Sequence, residues 1–370
     1  MLELTSLPAK QGDAIWIRWG EPEDLHQIII DMGTGPIGEI IRGELTARDT
    51  SEQAIDLLVI THVDADHIGG VLTCLAEAEP IPNLRIDDVW FNGFEHLNGN
   101  TVATSENSLE PLGPVHGEKL SIWLREQQWN KAFNGGPVSR VPSEPVKTVV
   151  LHDGLKLSIL GPTPDRLSNF VSTWKDAVEE AIEKGRLDGS SVSQGLEALG
   201  SDDPPILVSK DDLRILAESN HGSDNSKANG SSITLLLEYK GRKMILSGDA
   251  FSDDIVDGIN AVSPTTRLHV DLFKLPHHGS KKNVHKELLE AVDCDNWLIS
   301  TDGTRFKHPD AEAIARVIHF SRTDEPLLLF NVPSKFNKWW ENNDWKNLYG
   351  YDVEYGKVGT GLILEFMLDD

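Results

Sequence analysis

The chain has 370 residues and a formal net charge of −25, with 39% hydrophobic and 25% charged residues. This composition supports a packed core, excludes wholesale disorder and argues against an extended basic face for nucleic acid, while a local basic groove stays compatible with it. Two cysteines, Cys74 and Cys294, exclude a disulfide framework or a cysteine-built zinc ribbon and fit a reducing cytoplasm. In chain order, short apolar segments predict strands over Leu2–Leu7, Ala14–Arg18, Gln27–Ile30, Leu57–Ile60, Val89–Phe91, Leu155–Leu160, Ile233–Tyr239, Lys243–Leu246, Leu268–Lys274, Trp297–Ser300, Leu327–Phe330 and Gly361–Phe366. Helical spacing follows Ile37, His67, Gly117, Pro164, Ser252, Asn283, Pro309 and Phe336. Strands in pairs, then strands alternating with helices, predict sheets covered by outer helices. The N-terminus lacks a basic head before an apolar stretch, and the longest apolar runs are strand-sized. Neither a signal peptide nor membrane insertion is expected, and the expected location is cytoplasmic.

Residues 164–229 break this pattern. Asp165–Lys184 has helical spacing, after which the chain turns rich in Gly, Ser and Asp and ends in SNHGSDNSKANGSS. This stretch is read as a helical insertion with a mobile loop inside a single domain of residues 1–370, either a lid over the site or a surface decoration. Residues 320–370 are read as a C-terminal extension whose last strand rejoins a sheet. Trp339, Trp340 and Trp345 with nearby lysines offer base stacking or, more simply, core packing.

The densest chemistry lies in Thr61-His62-Val63-Asp64-Ala65-Asp66-His67-Ile68-Gly69-Gly70. An apolar strand precedes it, and a helix follows whose Ile68, Val71, Leu72, Leu75 and Ala76 share one face. Four metal-capable side chains therefore crowd one strand-to-helix loop, His62 with Asp64 suited to one cation and Asp66 with His67 to a second. Carboxylates packed this closely need cations to neutralise them, and the helix N-terminus favours Asp66. A polar helix cap is the alternative, but a cap requires one such side chain.

This motif resembles the metallo-β-lactamase superfamily signature His-x-His-x-Asp-His, with Asp64 in place of its second histidine. The aspartate form is similar to the branch containing the ComEC-type competence nuclease domain and a choline-phosphate esterase. Further resemblances follow in family order: Lys10-Gln11-Gly12-Asp13-Ala14, Ile30-Asp31-Met32-Gly33, Leu246-Ser247-Gly248-Asp249, Pro276-His277-His278-Gly279-Ser280 and His308-Pro309. The resemblance implies an α/β fold, a four-layer αββα metallo-β-lactamase sandwich. It implies that His62, Asp64 and His278 hold one metal, that Asp66, His67 and His308 hold another, and that Asp249 bridges the two. His277 then contacts substrate or shuttles a proton, with the swapped roles of His277 and His278 left open. Asp66 and His277 are the candidate catalytic pair. Asp13 and Asp31 are candidates to orient metal-bound histidines.

Imidazole and carboxylate donors suit two divalent ions, zinc first and manganese second. Such a pair activates water for hydrolysis and neutralises charge on the attacked group. Lys274, Lys281, Lys282, Arg305 and Lys307 flank these histidines and are expected to cluster at the mouth of the site. Lys281, Lys282 and Arg305 are candidate binders of a phosphate-containing substrate, nucleic acid among the candidates. The leading expectation is a phosphodiesterase or nuclease; the alternatives are a choline-phosphate-type esterase, a lactonase or thioesterase, or a non-catalytic metal-binding subunit. A protein partner or homo-oligomer is compatible with all of these.

Overall fold

The computed structural model of the chain describes residues 1–49, 53–101, 115–183 and 200–368. Alternation along each strand sends successive side chains to opposite faces, and this sorts the apolar residues into three cores. Ile15, Ile17, Ile28, Ile30, Leu57 and Val59 pack against Leu235, Leu237, Met244, Leu246, Leu272 and Leu298 from other strands. The intervening Trp16, Ile29 and Leu58 face helices on one side, and Leu236, Ile245, Phe273 and Trp297 face helices on the other. Three cores between four layers make an αββα sandwich.

One sheet has six strands in the order Leu362–Glu365, Leu2–Ser6, Ile15–Glu21, Asp24–Ile30, Leu57–Val59 and Val89–Trp90. The other has eight, in the order Asp352–Tyr355, Leu327–Phe330, Asn296–Ile299, Leu272–Lys274, Arg242–Leu246, Thr234–Tyr239, Lys156–Gly161 and Thr148–Val150. The direction of these strands positions the site. Asp24–Ile30 and Leu57–Val59 run parallel, so Asp31 and the His62 loop leave the same edge. Arg242–Leu246, Leu272–Lys274 and Asn296–Ile299 also run parallel, so Asp249, the double histidine and Ser300 leave one edge of the second sheet.

Two expected elements differ. The strand expected over Leu268–Lys274 divides at Asp271, whose carboxylate accepts hydrogen bonds from Lys243 N and Arg242 Nη1, each at 2.8 Å. Leu268–Val270 then pairs with Val292–Cys294 in a separate small sheet, while Leu272–Lys274 stays in the large one. The helix expected after Phe336 is a 3₁₀ turn, Lys338–Glu341, followed by Asn343–Tyr349. Asn342 separates the two by accepting hydrogen bonds from Asp344 N and Trp345 N at the helix start. Trp340 is fully buried and Lys346 is paired with Asp352 at 2.6 Å, so packing rather than base stacking accounts for this segment.

Within 164–229, helices occupy Pro164–Glu183, Lys210–Ala217 and Lys227–Gly230. Residues 184–199 of that stretch lie outside the described residues.

Candidate metal centre

The first edge is fixed by Asp31, which has a left-handed backbone (φ 54°) ahead of Gly33 (φ 66°). Its Oδ1 accepts Thr61 N at 2.8 Å, and its Oδ2 accepts Thr61 Oγ1 at 2.6 Å and lies 2.7 Å from His67 Nδ1. The carboxylate thereby holds the proton on His67 Nδ1 and turns Nε2 toward the site, 3.4 Å from Asp249 Oδ1. Close backbone approach clamps the loop: a Cβ on Gly12 would sit 1.7 Å from Asp66 O, and one on Gly70 1.9 Å from Met32 O. His62 Nε2 lies 3.7 Å from Asp64 Oδ2 and 3.8 Å from Asp249 Oδ2.

On the second edge, Asp249 N donates to Ser232 Oγ at 3.2 Å. His277 and His278 are both left-handed (φ 48° and 55°) and run into Gly279 (φ 81°). Two such non-glycine residues in succession cost about 1–3 kcal/mol each, a conformation that surrounding contacts must enforce. His278 Nδ1 donates to Ser300 O at 2.8 Å. Its Nε2 therefore faces inward, 3.3 Å from His67 Nε2, 3.6 Å from Asp249 Oδ2 and 3.9 Å from Asp66 Oδ2. His277 Nδ1 lies 3.0 Å from Asn283 Oδ1 and 3.2 Å from Asp224 Oδ2, leaving Nε2 3.9 Å from Asp249 Oδ2. His308 is buried beside it, with ring centroids 5.6 Å apart, and its Nδ1 is 3.7 Å from Asp310 Oδ2.

Asp13 closes the base of the cluster. Ligand atoms of Asp13, His67, Asp249 and His278 all lie within 4.8 Å of one another, and all four residues are buried. Lys274, expected among the cations at the site's mouth, is instead 1% exposed at its floor, because it ends a central strand. Its ammonium pairs tightly with Asp13, donates to Gly248 O at 3.0 Å and lies 4.0 Å from Asp249 Oδ1. Burial alone would raise the Asp13 carboxyl, but Lys274 and His278 outweigh it and hold the group well below the usual carboxylate range. Asp249 is lowered in the same way, burial being overcome by His278, His67 and His277. For His67 burial works downward, and the charges of Asp249 and Asp31 prevail to raise it well above the ordinary imidazole value.

The expected rim cations divide. Lys281 Nζ is held by Glu312 at 2.7 Å and Lys307 pairs with Asp202, whereas Lys282 stays half-buried and Arg305 exposed, its guanidinium 5.2 Å over the Phe306 ring. The sequence reading missed Asp224 and Asn283. Asp224 Oδ2 also accepts Asn229 Nδ2 at 2.8 Å and Asn283 Nδ2 at 2.9 Å, so the loop read as a mobile connection is bonded to His277. Asp224 is the one aspartate of that Ser-, Gly- and Asn-rich loop, and only its proximity to His277 gives it a role.

The cluster fits divalent cations. With Nδ1 of both His67 and His278 engaged as donors, two Nε2 lone pairs face each other, an arrangement that needs a proton or a cation between them. Among the described residues, His62 Nε2, Asp249 Oδ1 and Asp13 Oδ1 are buried without a hydrogen-bond partner. Nitrogen and oxygen donors of this kind suit zinc and manganese.

A family model described as the metallo-beta-lactamase superfamily matches residues 8–303. The chain belongs to the metallo-β-lactamase superfamily. That membership makes it a metal-dependent hydrolase by class, and the buried histidine–aspartate cluster is its candidate metal-binding site. ComE operon protein 3 of Bacillus subtilis is 27% identical over 161 residues, or 42% of this chain and 19% of that protein. The match thus spans about a fifth of that relative's length. Among solved structures, the metallo-β-lactamase fold protein YhfI of Bacillus subtilis is 10% identical with a TM-score of 0.42, covering 98% of both chains. CmlA, a diiron β-hydroxylase from Streptomyces venezuelae, is 11% identical with a TM-score of 0.35, covering 85% of this chain and 47% of its own. No helix among the described residues of this superfamily member is long and apolar enough to cross a membrane.

Proposed function

We propose that this metallo-β-lactamase superfamily member hydrolyses phosphodiesters, as a nuclease or nucleotide-directed phosphodiesterase. In this reading His62, Asp64, Asp66, His67, Asp249, His278 and His308 hold two divalent cations, zinc or manganese. Bound there, the cations supply Lewis acidity and water made acidic enough to attack at neutral pH. Asp31 and Ser300 keep the Nδ1 protons of His67 and His278 in place, so that both Nε2 atoms stay available as donors to metal. Asp249 lies within 3.9 Å of His62, His67, His277 and His278 nitrogens, a central position that supports a shared carboxylate.

The observation that carries the reading is His277. Its Nδ1 lies 3.0 Å from Asn283 Oδ1 and 3.2 Å from Asp224 Oδ2, two oxygens that hold a proton on that nitrogen, while Nε2 lies 3.9 Å from Asp249 Oδ2. A histidine so held delivers a proton to a departing alkoxide, the step that a phosphodiester requires. Asp66, whose Oδ2 lies 3.9 Å from His278 Nε2, is the proton acceptor in this reading. Lys282 and Arg305 at the rim favour an anionic substrate, and the resemblance of the His62–His67 motif to the competence nuclease branch points to the same class.

The test is an assay of purified protein on bis-p-nitrophenyl phosphate, supercoiled plasmid, a phosphocholine ester and a lactone and thioester panel, with added zinc or manganese. We expect phosphodiester hydrolysis that EDTA abolishes and that Asp249→Ala reduces at least about 1000-fold. Turnover of lactones or thioesters alone would replace this substrate class, and no turnover by fully metal-loaded protein would favour a binding role.

A further inference from the structure

A second histidine–carboxylate cluster lies at the other end of the sandwich, where Asp24–Ile30 and Leu57–Val59 begin rather than end. His26 comes from the first of these strands, Asp56 precedes the second, and His152 belongs to the turn before Lys156–Gly161 of the other sheet. Asp56 and Thr61 bracket one extended strand, which puts this cluster about 15 Å from the catalytic loop. His26 Nδ1 is 2.9 Å from Asp56 Oδ1, and His152 Nδ1 is 3.6 Å from the same oxygen. All three ligand atoms lie within 4.8 Å of one another.

Each member is held in place by a separate contact. Asp56 Oδ2 accepts Gln27 N at 2.9 Å, which leaves Oδ1 for the histidines. The His26 ring packs 5.4 Å from Trp19, and its far nitrogen, Nε2, lies 3.9 Å from Asp24 Oδ2. Trp19 Nε1 donates to His152 O at 3.1 Å, and the left-handed pair Asp153 (φ 49°) and Gly154 (φ 80°) turns the chain back immediately after it. A hydrogen bond from His26 to Asp56 explains one imidazole. It does not account for the nitrogen of the second, whose ring meets His26 edge-on at 4.7 Å and is 61% exposed, yet turns Nδ1 to the same carboxylate oxygen.

We propose that His26, Asp56 and His152 form a distal site for one divalent transition-metal ion, with zinc the best match. Ligand bonds of about 2.0–2.2 Å in a tetrahedral shell put donor atoms about 3.3–3.6 Å apart; the His152 separation of 3.6 Å meets that range and the His26 separation of 2.9 Å needs to open by a few tenths of an ångström. Two imidazoles and one carboxylate leave the fourth position to water at the exposed face. Asp24 Oδ2, 3.9 Å behind the far nitrogen of His26, is placed to close a carboxylate–histidine–metal relay by a side-chain rotation. Because the ligands come from both sheets, the ion clamps one sheet to the other. The proposal is independent of the substrate assigned above.

Metal content and affinity are measured on the full chain dialysed against buffered zinc, for wild type, His152→Ala, His26→Gln and Asp24→Asn. We expect His152→Ala and His26→Gln each to hold one zinc fewer per chain. Asp24→Asn should weaken that one equivalent about 10-fold, the usual cost of a lost outer partner. Hydrolysis by His152→Ala should equal that of wild type. In an Asp249→Asn background, zinc should still raise the melting temperature, and His152→Ala should remove that rise. Identical zinc content and affinity in wild type, His152→Ala and His26→Gln would overturn the site and leave a hydrogen-bonded surface cluster.

Discussion

Lys274 is a buried cation set between two buried carboxylates, and removing it separates electrostatics from packing. Lys274→Met leaves the Asp13 charge without its closest partner, a loss of about 3–5 kcal/mol for a broken buried pair. Asp13 is depressed in the fold, so its contribution is present at neutral pH and is lost as pH falls below the ordinary carboxylate range. Urea unfolding at pH 7 should show the full penalty in chelated protein and a smaller one with zinc, because the metal then supplies the missing positive charge. Equal penalties in both forms would mean that no cation enters beside Asp13. A second expectation concerns Asp224, which meets His277 at Nδ1 and touches no proposed ligand oxygen. Asp224→Asn should lower kcat on a phosphodiester by about 10–100-fold with bound metal unchanged, measured by steady-state kinetics alongside metal content. A fall in metal content instead would recast Asp224 as support for the cluster. The difference between these residues and the His62–His67 loop is one of information. The loop holds four metal-capable side chains within six positions, which no simple cap requires. Lys274 and Asp224 acquire their meaning only when Asp13 and His277 arrive from elsewhere in the chain.

Elements were legible where apolar alternation is long and obscure where one polar side chain decides the pairing. Asp24–Ile30 and Thr234–Tyr239 stand out by their Ile and Leu runs, whereas Asp271 ends one strand pairing and begins another by capping Lys243 N. The edge strand Thr148–Val150 was invisible for a related reason: it has three residues, mostly exposed, and no buried stripe. The short helix Phe94–Leu97 carries a prediction of its own. His96 is fully buried, accepts Gly93 N on Nδ1 at 3.1 Å and directs Nε2 to Gly135 O at 3.1 Å. Burial lowers its pKa to about 4, the Gly135 carbonyl opposing only in part. An unfolded histidine titrates near 6.5, so the unfolded chain binds the proton first. The stability due to neutral His96 is therefore whole above pH 6.5 and is lost progressively down to about pH 4. Between pH 7.5 and pH 5, wild type should lose about 2 kcal/mol more than His96→Gln in urea unfolding. Parallel losses in the two proteins would show that His96 takes up its proton without opening the helix.

At the scale of the whole molecule, the cluster is a junction between two sheets. Asp31, His62 and His67 come from the edge of the six-stranded sheet, and Asp249, His277 and His278 from the edge of the eight-stranded one. The sandwich was legible because motifs in family order implied it, and because Ile- and Leu-rich strands recur between helices. Which nitrogen faces which carboxylate was not, since that depends on the left-handed backbone at His277 and His278 that no composition encodes. A cation held across the junction binds the folded chain and not the unfolded one, so it stabilises by about 2.7 kcal/mol at 100 times its dissociation constant. His67 adds a pH dependence. Its pKa is raised in the metal-free fold, so its own stabilising contribution is present below pH 6.5 and fades as pH rises through that raised value. Metal must displace this proton, so metal binding strengthens as pH rises while the protonated metal-free fold weakens. Melting of His152→Ala, in which the distal site is removed, should therefore drop by several degrees on EDTA treatment at pH 8 and by distinctly less at pH 6. Calorimetric zinc titration in buffers of differing ionisation enthalpy should show about one proton released at pH 7. A melting temperature that EDTA leaves unmoved at both pH values would mean that no ion ties the two edges together.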